Sequence, residues 1–224
     1  MTHEKTARPY RMQRRAEQQD RTRRRITESA VELHGTLGPA RTSISAVAAR
    51  AGVRRSTVYR HFPDEAALFD ACTAHWTAAN PPPDFGAWTD IADPDERLRA
   101  ALAMLHRYYR QTERMLDNLF RDESVVPLVA ERFGAFRGYL AAVQQTLMEG
   151  RTLRGAAARR TRRALGHAIA FSTWKSLVRE QGLSDKEAGI LLCALVLASH
   201  EGAVTGPAVG ASPALVEVTE PPAT

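Results

Sequence analysis

Residues 42–62 constrain this chain more than any other stretch: two short runs of helical apolar spacing meet at one glycine and end against a proline. Ser43 is a suitable N-cap, after which Ile44, Val47, Ala48 and Ala51 share a helical face until Gly52. A second run, about Arg54 to His61, has Val53, Val58 and Phe62 as inward anchors. Pro63 disfavours helical geometry at Phe62 and so closes it. A longer helix precedes the pair: from about Asp20, Ile26, Ala30, Leu33 and Leu37 recur at steps of four, three and four residues until Gly35–Pro39. Two short helices crossed at a glycine turn behind a longer one make a helix-turn-helix head over residues 20–66.

The charge distribution fits such a head. Through Phe62 there are fourteen Lys and Arg against five Asp and Glu, a net +9, whereas the rest of the chain carries seventeen against twenty, a net −3. A basic front of this kind neutralises phosphates and releases their counterions. With the apolar anchors inward, Arg54, Arg55, Ser56, Thr57, Tyr59, Arg60 and His61 are left outward or on the rim, next to Thr42 and Ser43 at the start of the preceding helix. Arg pairs bidentately with guanine, hydroxyls reach bases or phosphates, and Tyr and His donate to phosphate oxygens. The amides at the Ser43 helix start offer a further phosphate contact. Residues 1–19 are polar and aperiodic and read as a disordered basic arm, with Arg8, Arg11, Arg14 and Arg15 either entering a minor groove or solvated.

Ser-Ile-Ser-Ala-Val-Ala-Ala-Arg-Ala-Gly-Val-Arg-Arg-Ser-Thr-Val-Tyr-Arg-His-Phe, residues 43–62, resembles the signature of the TetR family, with its Ala-Gly-Val turn and Tyr-x-His-Phe ending. The match covers about residues 22–70; beyond it only helix count, length and order are similar. The resemblance implies a homodimer on a double-stranded DNA operator, usually a repressor, whose final two helices form a four-helix bundle. It also implies a small-molecule effector in the C-terminal domain that shifts the fourth helix and with it the two heads. One residue departs from the pattern: Glu65 stands where the family commonly has Lys near the DNA backbone. That carboxylate either repels phosphate or simply favours its own helix N-terminus.

The remainder, residues 67–201, reads as a helical regulatory and dimerisation domain, and the chain as all-α. Asp64 caps a fourth helix with Leu68, Cys72, His75 and Trp76 on one side, and the Pro-rich stretch 80–93 is a connecting loop. Asp93-Pro94-Asp95-Glu96 starts a fifth helix that buries Leu98, Ala101, Leu102, Leu105 and Tyr109. A short helix follows near 113–120, a long one at about 125–149, and another at about 156–181. Ser184–Glu187 is a capping box for a final helix that is apolar almost all round from Ile190 to Ala198. Such a helix needs cover on every side, which a second copy of the chain would supply through Leu165, Ile169, Ser172, Leu191, Leu192, Leu195, Val196 and Ser199. Residues 202–224 read as a disordered tail.

An effector pocket is expected between the helices at 93–109, 125–149 and 156–181. Its aromatic candidates are Tyr108, Tyr109, Phe120, Phe133, Phe136, Tyr139, Phe171 and Trp174, with Met104 beside them and His106 and Arg132 as polar anchors; Arg132 as anchor would select an anion. Each aromatic is equally readable as core. No nucleophile–base pair or metal spacing occurs among the seven histidines and two cysteines, so neither an enzyme nor a metal or cofactor site is expected. The chain has no apolar stretch of membrane-spanning length and begins without a secretory signal, which points to a soluble cytoplasmic protein with no membrane partner. The competing function is a DNA-binding regulator whose second domain serves only dimerisation or protein contact, without small-molecule control.

Overall fold

The structure, a computed structural model, describes residues 4–201, and no strand is found among them. The head comprises α1 (Glu4–Thr36), α2 (Ile44–Arg50), α3 (Arg55–His61) and the first half of α4 (Glu65–Ala79). α1 begins well before Asp20. Its first turns are built largely from Glu, Ala, Arg, Met and Gln, all strong helix formers, so they are helical with no apolar face to announce them. The side chains of Arg8 and Arg11, and residues 1–3 and 202–224 with the expected tail, lie outside the described residues; Arg14 and Arg15 are exposed on α1.

Ile26 and Ala30 of α1 pack against Ile44, Val47, Val58 and Phe62, all nearly fully buried. Leu68 and Cys72 of α4 close this core, so the packing unit runs past the boundary that spacing sets at residue 66. Truncating an anchor such as Phe62 to alanine would cost about 3–5 kcal/mol and loosen the crossing of α2 and α3.

The second layer is organised around α6 (Pro94–Asp122), a single helix where the sequence suggests two. The polar run that separates the two apolar stripes is matched by partners on other helices. Arg110 pairs with Asp185 (2.8 Å), Glu113 with Arg179 (2.6 Å) and Asp117 with Lys175, while the Thr112 hydroxyl donates to the Tyr108 carbonyl. Before α6, a one-turn helix, α5 (Gly86–Thr89), lies within the expected loop and buries Trp88 completely. The helix expected over 125–149 divides at Phe133 into α7 (Pro127–Arg132) and α8 (Gly134–Met148). The helix expected over 156–181 divides at Ala170, whose backbone is extended, into α9 (Gly155–Ala168) and α10 (Phe171–Lys175), the latter running into a π turn at Ser176–Glu180. At that break the Ile169 carbonyl accepts a hydrogen bond from the Tyr109 hydroxyl, so this carbonyl is paired despite the interruption. α11 (Asp185–Glu201) starts with both halves of the capping box formed, Ser184 N to Glu187 Oε2 at 2.8 Å and Glu187 N to Ser184 Oγ at 3.2 Å.

Candidate DNA-reading surface and ligand cavity

The turn between α2 and α3 is a Schellman motif. The Val53 amide donates to the Ala48 carbonyl and the Gly52 amide to that of Ala49, with Gly52 at φ 62°. Ser43 caps α2 by accepting from the Ala46 amide at 3.1 Å, and the Thr42 hydroxyl is turned inward to the Gly38 carbonyl. α3 then presents Arg54, Arg55, Ser56, Tyr59 and Arg60 to solvent, with Thr57 and His61 half-buried on the rim. Arg55 and Tyr59 are already paired, guanidinium to hydroxyl at 3.2 Å, which orders two long side chains on the exposed face. Burial, with Arg60 and Arg23 nearby, lowers the His61 pKa below its ordinary value. Sequence reasoning missed Arg23: its guanidinium lies over the Phe62 ring and donates to the His61 carbonyl at 2.5 Å, tying α1 to the end of α3. Arg50 is taken up by Glu32 of α1. Glu65 is exposed on the first turn of α4, close enough to stabilise the charge of Arg55.

The head meets the second layer through a polar joint. Asn118 of α6 donates to the carbonyls of His34 and Gly35, Arg121 donates to that of Leu37 at 2.9 Å, and Asp122 accepts from the Ala40 amide at 2.9 Å. These groups hold the C-terminal end of α1, where Gly38 takes φ 92°, a conformation open only to glycine. Next to the joint is a cavity of about 190 Å³, bounded by α1 and α4 on one side and α6, α7 and α8 on the other. It lies closer to the head than the sequence suggests. Phe69, Trp76, Tyr108, Phe133, Phe136 and Tyr139 are the aromatic members of its wall, and His34, Thr73, Thr77 and Arg132 are among the polar ones. The Tyr139 hydroxyl donates to the Pro83 carbonyl at 2.8 Å, pinning the Pro-rich loop at the rim. His34 and Phe69, with ring centroids 5.4 Å apart, also border a smaller groove that reaches Ser43, Val47 and Glu65.

Of the eleven ligand candidates, Tyr108, Arg132, Phe133, Phe136 and Tyr139 line this cavity and the other six do not. Tyr109, Phe171 and Trp174 pack on one another in the core, where the Trp174 indole donates to Asp185 at 3.0 Å. His106 is buried with Nδ1 at the Asp185 carbonyl, Met104 packs against the core, and Phe120 sits edge-on to Phe133. Arg132 does not point inward unpaired: its guanidinium binds both Asp70 oxygens (2.5 and 3.3 Å) and Glu131 (3.1 Å). The contributors that sequence reasoning missed, His34 of α1 and Phe69, Thr73 and Trp76 of α4, had one available signal. The bulky apolar residues of α4 occupy more than one side, so that helix must be covered by more than one layer.

The dimer candidates also divide. Leu165, Ile169, Leu192 and Val196 are buried within the chain, and the Ser199 hydroxyl donates to the Val196 carbonyl. Leu191 (49% exposed), Leu195 (44%) and Ser172 remain open, joined by Ile190 (61%) and Leu197 (41%) on α11. α11 is apolar all round because Ala188, Leu192 and Val196 serve the chain's own core while another apolar face is left uncovered. No helix among the described residues is long and apolar enough to cross a membrane, and no cluster of metal-ligating side chains is found among them.

A basic helix-turn-helix head on a helical domain with a cavity at the joint defines a class, that of DNA-binding regulators. Residues 26–72 match the family model for bacterial regulatory proteins of the tetR family. A putative fatty acid metabolism regulator from Clostridium perfringens is similar in structure (TM-score 0.57, 13% identity, covering 78% of this chain and 97% of that one). So is NalD of Pseudomonas aeruginosa, the secondary repressor of the MexAB-OprM multidrug efflux pump (TM-score 0.55, 22% identity, 81% and 96%). A TetR-like transcriptional regulator from Rhodococcus sp. RHA1 is a third (0.54, 20% identity, 81% and 97%). No curated protein sequence matches the chain. The match to the tetR family model covers the head from residue 26 of α1 to residue 72 of α4, and over the rest of the chain the likeness to these regulators is one of fold.

Proposed function

We infer that the protein is a homodimeric repressor that binds a palindromic operator in the cytoplasm and leaves it when a small molecule occupies the cavity. The observation that carries this reading is the cavity's position: its wall includes α1 and α4, the helices that also close the head's core. A molecule that spreads this wall displaces α4 and the heads attached to it, which is the differential contact that coupling requires. The uncovered row Ile190, Leu191, Leu195 and Leu197 supports a two-fold interface through α11. In such a dimer, α3 of each head enters the major groove, with Arg54, Arg55, Ser56, Thr57, Tyr59, Arg60 and His61 at bases and phosphates and Thr42 and Ser43 at the adjoining backbone.

Selection of duplexes by the full chain from a random library tests the reading. The expected product is an inverted repeat with half-sites about 34 Å, roughly ten base pairs, apart. Absence of enrichment, or a single half-site bound by one copy, would overturn it. An operator bound equally well whatever fills the cavity would favour a regulator whose second domain serves only for dimerisation.

A further inference from the structure

We propose that the cavity takes an uncharged, largely aromatic molecule with one hydrogen-bonding group, and that the ring of His34 receives that group; the proposal rests on the cavity being the effector site. Size and lining set the first part. A dry cavity of about 150 Å³ binds benzene, so about 190 Å³ walled by six aromatic rings suits a two-ring molecule or a substituted single ring.

Charge sets the second part. Arg132 is the charged residue at the wall, and its guanidinium is already met by Asp70 and Glu131. An anion entering the cavity would have to displace those carboxylates or face them, and a cation would leave water for a wall of aromatic carbon. Either costs several kcal/mol without a dedicated partner. A neutral guest avoids both.

Among the polar groups in the wall, most are spoken for. The Tyr139 hydroxyl is on Pro83, and the Cys72 thiol is directed at the Thr27 carbonyl at 3.8 Å. The His34 ring makes no hydrogen bond to any described residue, although its backbone carbonyl is held by Asn118. Burial lowers its pKa to about 4, so at neutral pH the ring offers one N–H donor and one acceptor and can meet a hydroxyl or a carbonyl. Thr73, Thr77 and Tyr108 carry the other hydroxyls of the wall, and Thr77 is exposed. His34 differs from all three in belonging to α1: a guest bound to it touches the first helix of the head directly, one residue from Gly35 and the Asn118 joint.

Binding of a matched probe series to the full-length protein, followed by ligand-observed NMR titration, tests this. 2-Naphthol and 2-methylnaphthalene have nearly the same shape and differ by one hydroxyl, and 2-naphthoate adds a negative charge. The expected result is about tenfold tighter binding of 2-naphthol than of 2-methylnaphthalene, the worth of one hydrogen bond, with 2-naphthoate unbound. In His34→Phe, which keeps a ring against Phe69, the preference should fall to within about twofold. Equal binding of the two neutral probes by the wild type would overturn the role of His34 while leaving the cavity as effector site. Loss of the preference in Thr73→Val but not in His34→Phe would move the anchor to Thr73, and tight binding of 2-naphthoate would overturn the neutral class. Binding of neither neutral probe would overturn the effector-site reading, and this proposal with it. Should His34→Phe fail to fold, the ring-nitrogen resonances of His34 in the wild type decide: they shift on addition of 2-naphthol, and if they stay fixed the proposal fails.

Discussion

Replacing Gly38 and Gly52 by alanine separates backbone strain from lost contacts, because both glycines have positive φ and only one is crowded. At Gly52, φ is 62° and nothing lies within 4 Å of an added Cβ. The cost there is the left-handed strain of about 1–2 kcal/mol, partly offset by about 0.4–1 kcal/mol because alanine restricts the unfolded chain, so about 1 kcal/mol remains. Gly38 sits at φ 92°, ψ 157°, where strain for a residue with Cβ is about 1–3 kcal/mol. Its Cβ would also overlap Arg121 Nη2 and Asp122 Oδ2. Both side chains can swing away, but then Arg121 releases the Leu37 carbonyl and Asp122 releases the Ala40 amide. At about 1 kcal/mol or more for each bond, the total for Gly38→Ala is about 3–5 kcal/mol, a large part of ordinary domain stability. Urea unfolding followed by circular dichroism and tryptophan fluorescence measures both variants. All three tryptophans lie at or beyond residue 76, so a head that unfolds alone would show as circular-dichroism change ahead of fluorescence. Equal losses in the two variants, or a larger loss at Gly52, would refute the assignment of Asn118, Arg121 and Asp122 as the joint.

Other consequences can be checked separately. Arg55→Ala should weaken operator binding about tenfold and reduce the salt slope by about one, measured by fluorescence anisotropy across salt concentrations. Leu191→Glu combined with Leu195→Glu should leave a folded monomer by light scattering, since both side chains lie on the uncovered face of α11. His34 also links stability to pH. Its folded pKa of about 4 lies below the ordinary 6.5, so between those values the unfolded chain binds a proton that the folded chain refuses. The contribution is whole above pH 6.5 and is lost as pH falls towards 4, with about 2 kcal/mol gone by pH 5. His34→Phe should flatten that arm of the stability curve, and an unchanged slope would show a hydrated ring.

The head was legible because its determinants are local. Ser43, Gly52 and Pro63 punctuate two short helices, and Val47, Val58 and Phe62 need only helical spacing to be placed inward. The joint and cavity draw on residues scattered from Val31 to Tyr139, and no local pattern brings His34 beside Phe69 or Asp70 beside Arg132. Aromatic residues on an amphipathic helix reveal that they are buried, not whether they meet a neighbour or a void; Tyr109 and Tyr139 look alike in sequence and end in different places. Polar runs misled for a related reason. The polar run from Arg110 to Glu113 suggested a break in α6 because its partners, Asp185 and Arg179, are far away in the chain.

Competition between the cavity and the operator tests the account most directly. The selected operator duplex is titrated with the full-length protein, alone and with 2-naphthol saturating the cavity. Occupancy should lower operator affinity by a factor within about 5–150, and operator-bound protein should bind 2-naphthol more weakly by the same factor, as linkage demands. Unchanged operator affinity with the cavity demonstrably full would contradict the claim that this site controls the head.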